Sequence, residues 1–138
     1  MFVDASVIVA ILAREPGYEE IEKRLATLDG AFFVSPLVKF EASTALARLK
    51  AVGGKPSSNM LRQAQGAVDM FVADLGADEV AISPEIGRLA IDACAAYGKA
   101  VGHIADLNFG DCFAYACAKA LNVGLLYKGA DFAHTDLA

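Results

Sequence analysis

Residues 31–36 read AFFVSP, a sequence that predicts a short buried strand passing directly into a helix. Phenylalanine and valine favour strands. Ser35 is a good helix N-cap, and Pro36 suits the first helical position, where its missing N–H is not needed. Ser83 and Pro84 repeat this signal after a second predicted strand at residues 78–82. Strands that alternate with helices in this way predict an α/β fold with a mostly parallel sheet.

The same alternation continues in both directions along the chain. Phe2 and Val3 predict a first strand that ends at Asp4, and residues 123–127 predict a last one. The predicted helices cover residues 5–12, 18–28, 36–52, 58–75, 84–97 and 111–121, and the predicted loop covers 98–108. The sequence therefore predicts one domain, residues 1–138, in which helices flank a central sheet of four to five short strands.

The composition narrows the expected location of the protein. Apolar residues make up 56% of the chain, but uninterrupted apolar runs such as residues 7–13 are far too short to cross a bilayer. Residues 1–4 carry no basic side chain, which argues against a secretory signal. The odd cysteine number, three, and their alanine-rich surroundings are typical of reduced thiols. We expect a cytoplasmic protein that does not enter a membrane.

Four acids stand where predicted strands end or predicted helices begin: Asp4, Glu41, Asp111 and Asp131. Because the carboxyl ends of parallel strands meet at one edge of a sheet, we expect these side chains to share a cleft. Carboxylates gathered in one place repel each other unless a cation binds between them. Oxygen ligands alone favour a hard cation such as Mg²⁺ or Mn²⁺. The grouping predicts a metal-dependent enzyme that acts on phosphodiesters.

Each acid also has an ordinary structural explanation. Asp4 is a suitable N-cap for the helix that follows it. Glu41 lies near the amino end of its helix, where the helix dipole favours an acid. Asp111 follows Asn108 by three residues, as in a capping box, and Asp131 stands in a predicted surface turn. These explanations stay open for each acid taken alone.

Neighbouring residues favour a functional interpretation for two of the acids. Ser6 adds a hydroxyl group two residues after Asp4. Gly110 leaves room for another group to approach Asp111 closely. The helix behind Asp111, residues 112–121, is almost wholly apolar and is therefore expected to be buried. A buried helix that presents one acid at its tip is suited to hold a ligand.

Basic residues are concentrated beside one of the acids. The chain has a net charge of −5, but residues 39–62 contain five basic residues and only one acid, Glu41. Residues 63–85 contain five acids and no basic residue. We therefore predict that Arg48, Lys50 and Lys55 contact a phosphate backbone. Solvated helix faces are the alternative explanation for each of these basic side chains.

The motifs and their order resemble those of the PIN-domain ribonucleases, and specifically the VapC toxins of bacterial toxin–antitoxin pairs. The likeness covers nearly the whole chain. Its motifs are VDAS at residues 3–6, SPL continuing to Glu41 at 35–41, NFGDC at 108–112, and GADF with TD at 129–136. The resemblance implies a three-layer sandwich with helices on both sides of the sheet.

Residue by residue, the resemblance matches Asp4, Glu41, Asp111 and Asp131 with the acidic quartet of that family. It implies that Asp4 and Asp111 hold Mg²⁺ or Mn²⁺, with Glu41 and Asp131 completing the site, and that RNA phosphodiester bonds are hydrolysed. Ser6 matches a hydroxyl residue that supports the first acid or a metal-bound water. Ala130 departs from the pattern, because VapC toxins often have Asn or Asp at this place.

The resemblance also implies partners. These are the RNA substrate, a small antitoxin protein whose tail enters the acidic cleft, and a second copy of the chain in a homodimer. The apolar positions within residues 60–72 are available for such self-association, or else belong to the core.

Two other functions are possible. The first is a phosphotransfer domain of the haloacid-dehalogenase or receiver type. The dehalogenase type needs a second acid two residues after the first, but this chain has Ser6 there. The receiver type needs a phosphorylated Asp after a middle strand, and residues 31–35 offer none. The second is a non-catalytic module whose acids bind a basic partner.

Overall fold

A four-stranded parallel sheet forms the centre of the fold in the computed structural model, which describes residues 1–138. Its strands are β1 (Phe2–Val3), β2 (Phe33–Val34), β3 (Asp78–Glu79) and β4 (Leu125–Leu126), in the order β3-β2-β1-β4. The helices are α1 (Ala5–Leu12), α2 (Tyr18–Thr27), α3 (Pro36–Lys50), α4 (Ser58–Leu75), α5 (Pro84–Tyr97) and α6 (Phe109–Leu121). Short 3₁₀ helices cover Val52–Gly54, Lys99–Val101 and Asp131–His134. The predicted α/β class with a parallel sheet is confirmed.

Side-chain caps start the helices that follow the strands. The Ser35 hydroxyl accepts a hydrogen bond from the backbone N–H of Val38 at 3.2 Å, and Ser83 does the same for Ile86 at 3.2 Å. Each cap satisfies a backbone donor that has no partner within its helix. Helices α3 and α5 therefore begin at the predicted positions, directly beyond the sheet.

Burial differs between the strands of the sheet: β1 and the edge strand β4 are buried, whereas the other edge strand, β3, is not. Phe2 and Val3 of β1 are completely buried, because this strand has a neighbour on each side and contributes to the largest apolar core. Both residues of the edge strand β3 are exposed. The chain leaves the sheet at Asp4 from its most buried strand, so this side chain starts in a low-dielectric environment.

The strands are shorter than the sequence predicts. The predicted strand at residues 78–82 pairs only at Asp78–Glu79, because its partner β2 ends at Val34 and the chain there turns into α3. The predicted loop at residues 98–108 contains a 3₁₀ helix and a parallel bridge between Gly98 and Leu107. Helix α6 begins at Phe109, two residues before the predicted start, because Asn108 is its N-cap.

The apolar positions of α4 belong largely to the core. Ala64, Val68 and Val72 are buried, while Met70 is exposed on the same helix. The stripe formed by the three buried residues therefore packs inside the molecule and is not a free surface for self-association. None of the helices is both long enough and apolar enough to traverse a lipid bilayer.

Candidate active site

A cleft of about 750 Å³ opens beyond the carboxyl ends of the strands, and all four predicted acids line it. Asp4 directly follows β1, and Asp131 follows the neighbouring strand β4. Glu41 lies in the second turn of α3, and Asp111 lies in the first turn of α6. The fold thus brings four acids from four separate segments to one place.

Asp4 serves as the N-cap of α1 and lines the cleft at the same time. Its Oδ2 accepts hydrogen bonds from the backbone N–H of Ser6 at 2.9 Å and from the Ser6 hydroxyl at 2.6 Å. The residue is only 5% exposed, and burial raises the pKa of its carboxyl above the usual value although these hydrogen bonds lower it. The capping explanation and the functional one therefore describe the same side chain.

Ser6 connects the ends of the neighbouring strands β1 and β4. Its hydroxyl donates to Asp4 and accepts a hydrogen bond of 3.0 Å from the backbone N–H of Lys128, which follows β4. Both capacities of the hydroxyl are used within the protein. Ser6 thus fixes the orientation of the Asp4 carboxylate relative to the loop that carries Asp131.

Glu41 is half-buried, and its carboxylate accepts no hydrogen bond from the protein. Burial raises its pKa to about 7, and the charges of Asp4 and Asp111 act in the same direction. The carboxylate occupies the space beside Gly110, where the Cβ of any other residue would collide with it. A side chain at position 110 would therefore displace the Glu41 carboxylate from this place.

Asp111 is oriented by its own helix. Its Oδ2 accepts a hydrogen bond of 2.8 Å from the backbone N–H of Asn108, while the Asn108 side chain accepts one of 3.0 Å from the backbone N–H of Asp111. This reciprocal pair is a capping box. Burial raises the pKa of Asp111 to about 6, with further contributions from neighbouring acids. The carboxylate is held rigidly in an environment that disfavours its charge.

Asp131 is the exposed member of the group. It is the first residue of the last 3₁₀ helix, which has no side-chain cap. Ala130, which precedes it, has no polar side chain. Gly129 precedes it with φ of +105°, a conformation that glycine adopts readily. The chain can therefore turn sharply between β4 and the cleft.

As they are oriented, the acidic side chains do not form a closed group of three or more ligands around one point. Mutual repulsion is a sufficient physical reason, because like charges in a partly buried cleft cost energy when they approach. Asp4 and Asp111 are held by hydrogen bonds, whereas Glu41 and Asp131 are free of them. Rotation of the two free side chains is therefore the movement available to complete a cation site.

Comparison with known proteins decides the family. A family model described as PIN domain matches residues 1–137. A VapC ribonuclease from Rhizobium meliloti is 54% identical over 99% of this chain and 98% of its own length. Ribonuclease VapC30 of Mycobacterium tuberculosis is 36% identical over 100% of this chain and 96% of its own. The chain belongs to the PIN-domain family. Its curated relatives place this PIN domain in the VapC group.

Solved structures agree on the fold of this PIN domain. VapC20 of Mycobacterium tuberculosis, described as a toxin that cleaves the sarcin–ricin loop, superposes with a TM-score of 0.72 at 17% identity, covering 99% of this chain and 97% of its own. A chain from a toxin–antitoxin complex of Klebsiella pneumoniae gives 0.66 at 14% identity, covering 98% and 92%. The family match favours the nuclease interpretation over the phosphotransfer alternatives.

The basic residues predicted to bind RNA are not equivalent in this PIN domain. Arg48 lines the acidic cleft and forms no salt bridge, whereas Lys50 and Lys55 are exposed and do not line it. Lys39 of the same basic segment is paired with Asp69 at 2.8 Å and with Glu79 at 3.1 Å. The linear concentration of charge therefore splits into separate surfaces, and only Arg48 lies at the acids.

The cleft contains a second basic residue, Lys128, which was not predicted from the sequence. Lys128 donates to Glu15 at 2.5 Å, so the ammonium group is held in place from the turn between α1 and α2. Lys128 comes two residues after the end of the edge strand β4. Its position just beyond the carboxyl end of a parallel strand is the signal by which it could have been found.

The donor set of this PIN domain fits a hard divalent cation. The four predicted acids supply oxygen, and the Ser6 hydroxyl adds another; a fifth acid in the cleft, Glu15, is paired with Lys128. No histidine or cysteine lines the cleft. The Glu41 carboxylate lies against Gly110, in space that a Cβ at position 110 would take. Three of the carboxyl groups have raised pKa values, so a bound cation would stabilise their charged forms.

Proposed function

We propose that this protein is a Mg²⁺- or Mn²⁺-dependent endoribonuclease that hydrolyses RNA phosphodiester bonds, and that it is the toxin of a toxin–antitoxin pair. One observation carries the proposal: four acids from separate segments line one cleft, and burial raises the pKa of three of them. Membership of the VapC group, whose curated relatives are ribonucleases, supports RNA as the substrate class.

The proposed role of each acid follows from the hydrogen bonds that hold it. Asp4 and Asp111, oriented by Ser6 and by the α6 capping box, would hold the cation, with Glu41 and Asp131 completing its ligands. A cation held by these residues would supply polarisation of the scissile phosphate and a lower pKa for a bound water. The Glu41 carboxylate, which accepts no hydrogen bond within the protein, would accept the proton of the attacking water.

The two cations in the cleft would position the substrate. Lys128 is fixed by Glu15, so its ammonium group offers a charge at a defined place for a phosphate oxygen. Arg48 lies at the end of α3 without a salt bridge, and its guanidinium group is free to bind a second phosphate. These residues bind the RNA backbone and orient it over the acids.

The partners follow from the same proposal. An antitoxin protein would bind this toxin, and the likeness to a chain of a toxin–antitoxin complex supports that partner. The protein would act in the cytoplasm on RNA, as a homodimer.

The deciding experiment is RNA cleavage by the purified protein with Mg²⁺ or Mn²⁺ and, in parallel, with EDTA. We expect cleavage at internal phosphodiester bonds with either metal and none with EDTA. Persistent cleavage in EDTA would contradict the metal requirement. Absence of cleavage with both metals, tested on several unrelated RNAs and with a correctly folded protein, would favour the non-catalytic alternative.

A further inference from the structure

Two exposed phenylalanine side chains border the acidic cleft. Phe40 is 66% exposed and Phe109 is 68% exposed, and both line the cleft that contains the four acids. Of the eight phenylalanines in the chain, these two are the exposed ones. Exposure of a large aromatic side chain forgoes the free energy of its burial. Two exposed aromatic rings at one cleft are therefore more notable than a single exposed apolar residue elsewhere on the surface.

The backbone places both rings next to the reacting groups. Phe40 directly precedes Glu41 on α3, and Phe109 directly precedes Gly110, which contacts the Glu41 carboxylate. The Phe109 ring packs against Phe113 one turn later, with ring centroids 5.0 Å apart and planes inclined by 54°. Phe113 thus supports one side of the Phe109 ring while most of the ring stays exposed.

Side chains that could bind a nucleotide continue along the face of α3 that lines the cleft. Phe40, Thr44 and Arg48 are spaced four residues apart on α3, and all three line the cleft. This face presents an aromatic ring, a hydroxyl group and a cation in sequence. A strand of RNA carries bases that stack on aromatic rings and phosphates that bind cations.

We propose that Phe40 and Phe109 stack on unpaired nucleobases next to the scissile phosphate and so supply the base contacts of this cleft. This inference rests on the proposed nuclease function and adds to it two residues that bind the bases. A base inside a duplex has both faces covered by its neighbours and is not available to these rings. Unpaired bases at the cleft would let the rings grip the strand while Arg48 and Lys128 bind its phosphates.

The test measures binding of a short unstructured RNA to protein carrying Asp4→Asn, which prevents cleavage. On this background Phe40→Ala and Phe109→Ala should each weaken binding by about tenfold. Phe40→Tyr should keep most of the affinity, whereas Phe40→Leu, which is apolar but not aromatic, should not. Met70→Ala is the matched control, because Met70 is 67% exposed but lies outside the cleft.

A second set of measurements separates base stacking from backbone contact. Each variant is titrated with the same RNA carrying abasic nucleotides. For the protein with both rings, abasic sites should weaken binding about as much as ring removal does. For Phe40→Ala and Phe109→Ala, the abasic sites that face the missing ring should cause no further loss. A duplex of the same sequence should bind more weakly and be indifferent to both substitutions.

The outcomes separate this inference from the function on which it rests. If the protein with native Asp4 cleaves RNA, yet both ring variants bind and cleave like the parent, the stacking inference is wrong and the nuclease function stands. The stacking inference is also wrong if ring loss weakens binding equally for intact and abasic RNA. If the native protein neither binds nor cleaves RNA, the function fails, and the stacking inference fails with it.

Discussion

At the scale of single residues, the site depends on how each carboxylate is held. Asp4 is fixed by two hydrogen bonds from Ser6, and Asp111 is fixed by the backbone of Asn108. Glu41 has no such bond and is confined instead by the space beside Gly110. Fixed groups bind a cation with little reorganisation, whereas a confined but unbonded group can move toward it or accept a proton.

Charge removal from the fixed acids should abolish cleavage without unfolding the protein. Asp4→Asn and Asp111→Asn keep the shape of each side chain but remove the charge that a cation needs. We expect each to reduce cleavage by more than the roughly 10–100-fold typical of groups that only support metal ligands. Cleavage rates at saturating Mg²⁺, with circular dichroism to confirm the fold, provide the measurement. Near-native rates in both variants would show that the site lies elsewhere.

Gly110→Ala tests the contact between α6 and Glu41 without changing any charge. Its Cβ would collide with the Glu41 carboxylate, so that carboxylate must move away. A misplacement of this kind is expected to lower the cleavage rate by about 100-fold. The matched control is Gly66→Ala in α4, where a Cβ meets nothing within 4 Å.

The control should keep its activity and gain about 0.5–1 kcal/mol in free energy of unfolding, because alanine is the better helix former. Full activity in Gly110→Ala would mean that Glu41 can act from another position, or is not needed.

At the scale of elements, α3 contributes more lining residues to the cleft than any other element does. Its start is set by Ser35 at the end of β2, and from that start the helix period decides which side chains face the acids. Phe40, Glu41 and Arg48 face the cleft, whereas Lys50 at the last position of α3 does not. Basic residues close together in sequence therefore differ in what they can bind.

Reversal of single charges on and after α3 should expose this difference. Arg48→Glu should weaken RNA binding clearly and reduce the slope of log affinity against log salt by about one phosphate contact. Lys50→Glu and Lys55→Glu should have much smaller effects, since neither side chain lines the cleft. Titrations at several salt concentrations on an Asp4→Asn background measure both quantities. Equal losses from all three reversals would indicate a broad basic surface instead of a contact at the cleft.

At the scale of the whole molecule, burial of the carboxylates destabilises the folded state, and the rest of the fold offsets that destabilisation. Three have raised pKa values because the folded protein buries them beside each other. An apolar core built around the completely buried β1 stabilises the arrangement. Stability should therefore respond both to pH and to any cation that neutralises the cluster.

Without a divalent cation, stability should fall as pH rises. The pKa of Glu41 rises from 4.5 to about 7 on folding, and that of Asp111 rises from 3.8 to about 6. The folded state therefore binds these protons more tightly than the unfolded chain, and its advantage is lost as pH rises from the unfolded values through the folded ones. After allowance for solvent screening, we expect a loss of about 1–2 kcal/mol.

Urea unfolding in EDTA at a series of pH values between the unfolded and folded pKa values measures this loss. Glu41→Gln should flatten the dependence, while Glu22→Gln, at an exposed position on α2, should leave it unchanged. A free energy of unfolding that rises over the same pH range would contradict the assigned environments.

Mg²⁺ or Mn²⁺ should raise the melting temperature at neutral pH by binding the folded state selectively. The Asp4→Asn/Asp111→Asn double variant should lose this rise, because it lacks both of the fixed carboxylates. Thermal melts over a range of cation concentrations are sufficient. The same rise in the double variant and in the native protein would mean that the cation binds outside the cleft.

The sequence by itself determined the features that depend on local hydrogen bonds and on the order of elements. Ser35, Ser83 and Asn108 cap helices through donors only three residues away, so their signals are complete in short stretches of chain. Positions at strand ends also identified Asp4 and Asp131, because parallel strands share one edge. Residues that both cap a helix and line the cleft could therefore be recognised without knowledge of distant contacts.

Only the tertiary structure decided the features that join distant parts of the chain. Lys128 and Glu15 are 113 positions apart, and nothing local pairs them. The choice of Arg48 over Lys50 depends on the rotation of α3 against the cleft, and the exposure of Phe40 depends on what packs nearby. The raised pKa of Glu41 arises from burial and from charges on other segments. Desolvation and long-range Coulomb interactions are properties of the folded arrangement, which no short stretch of sequence contains.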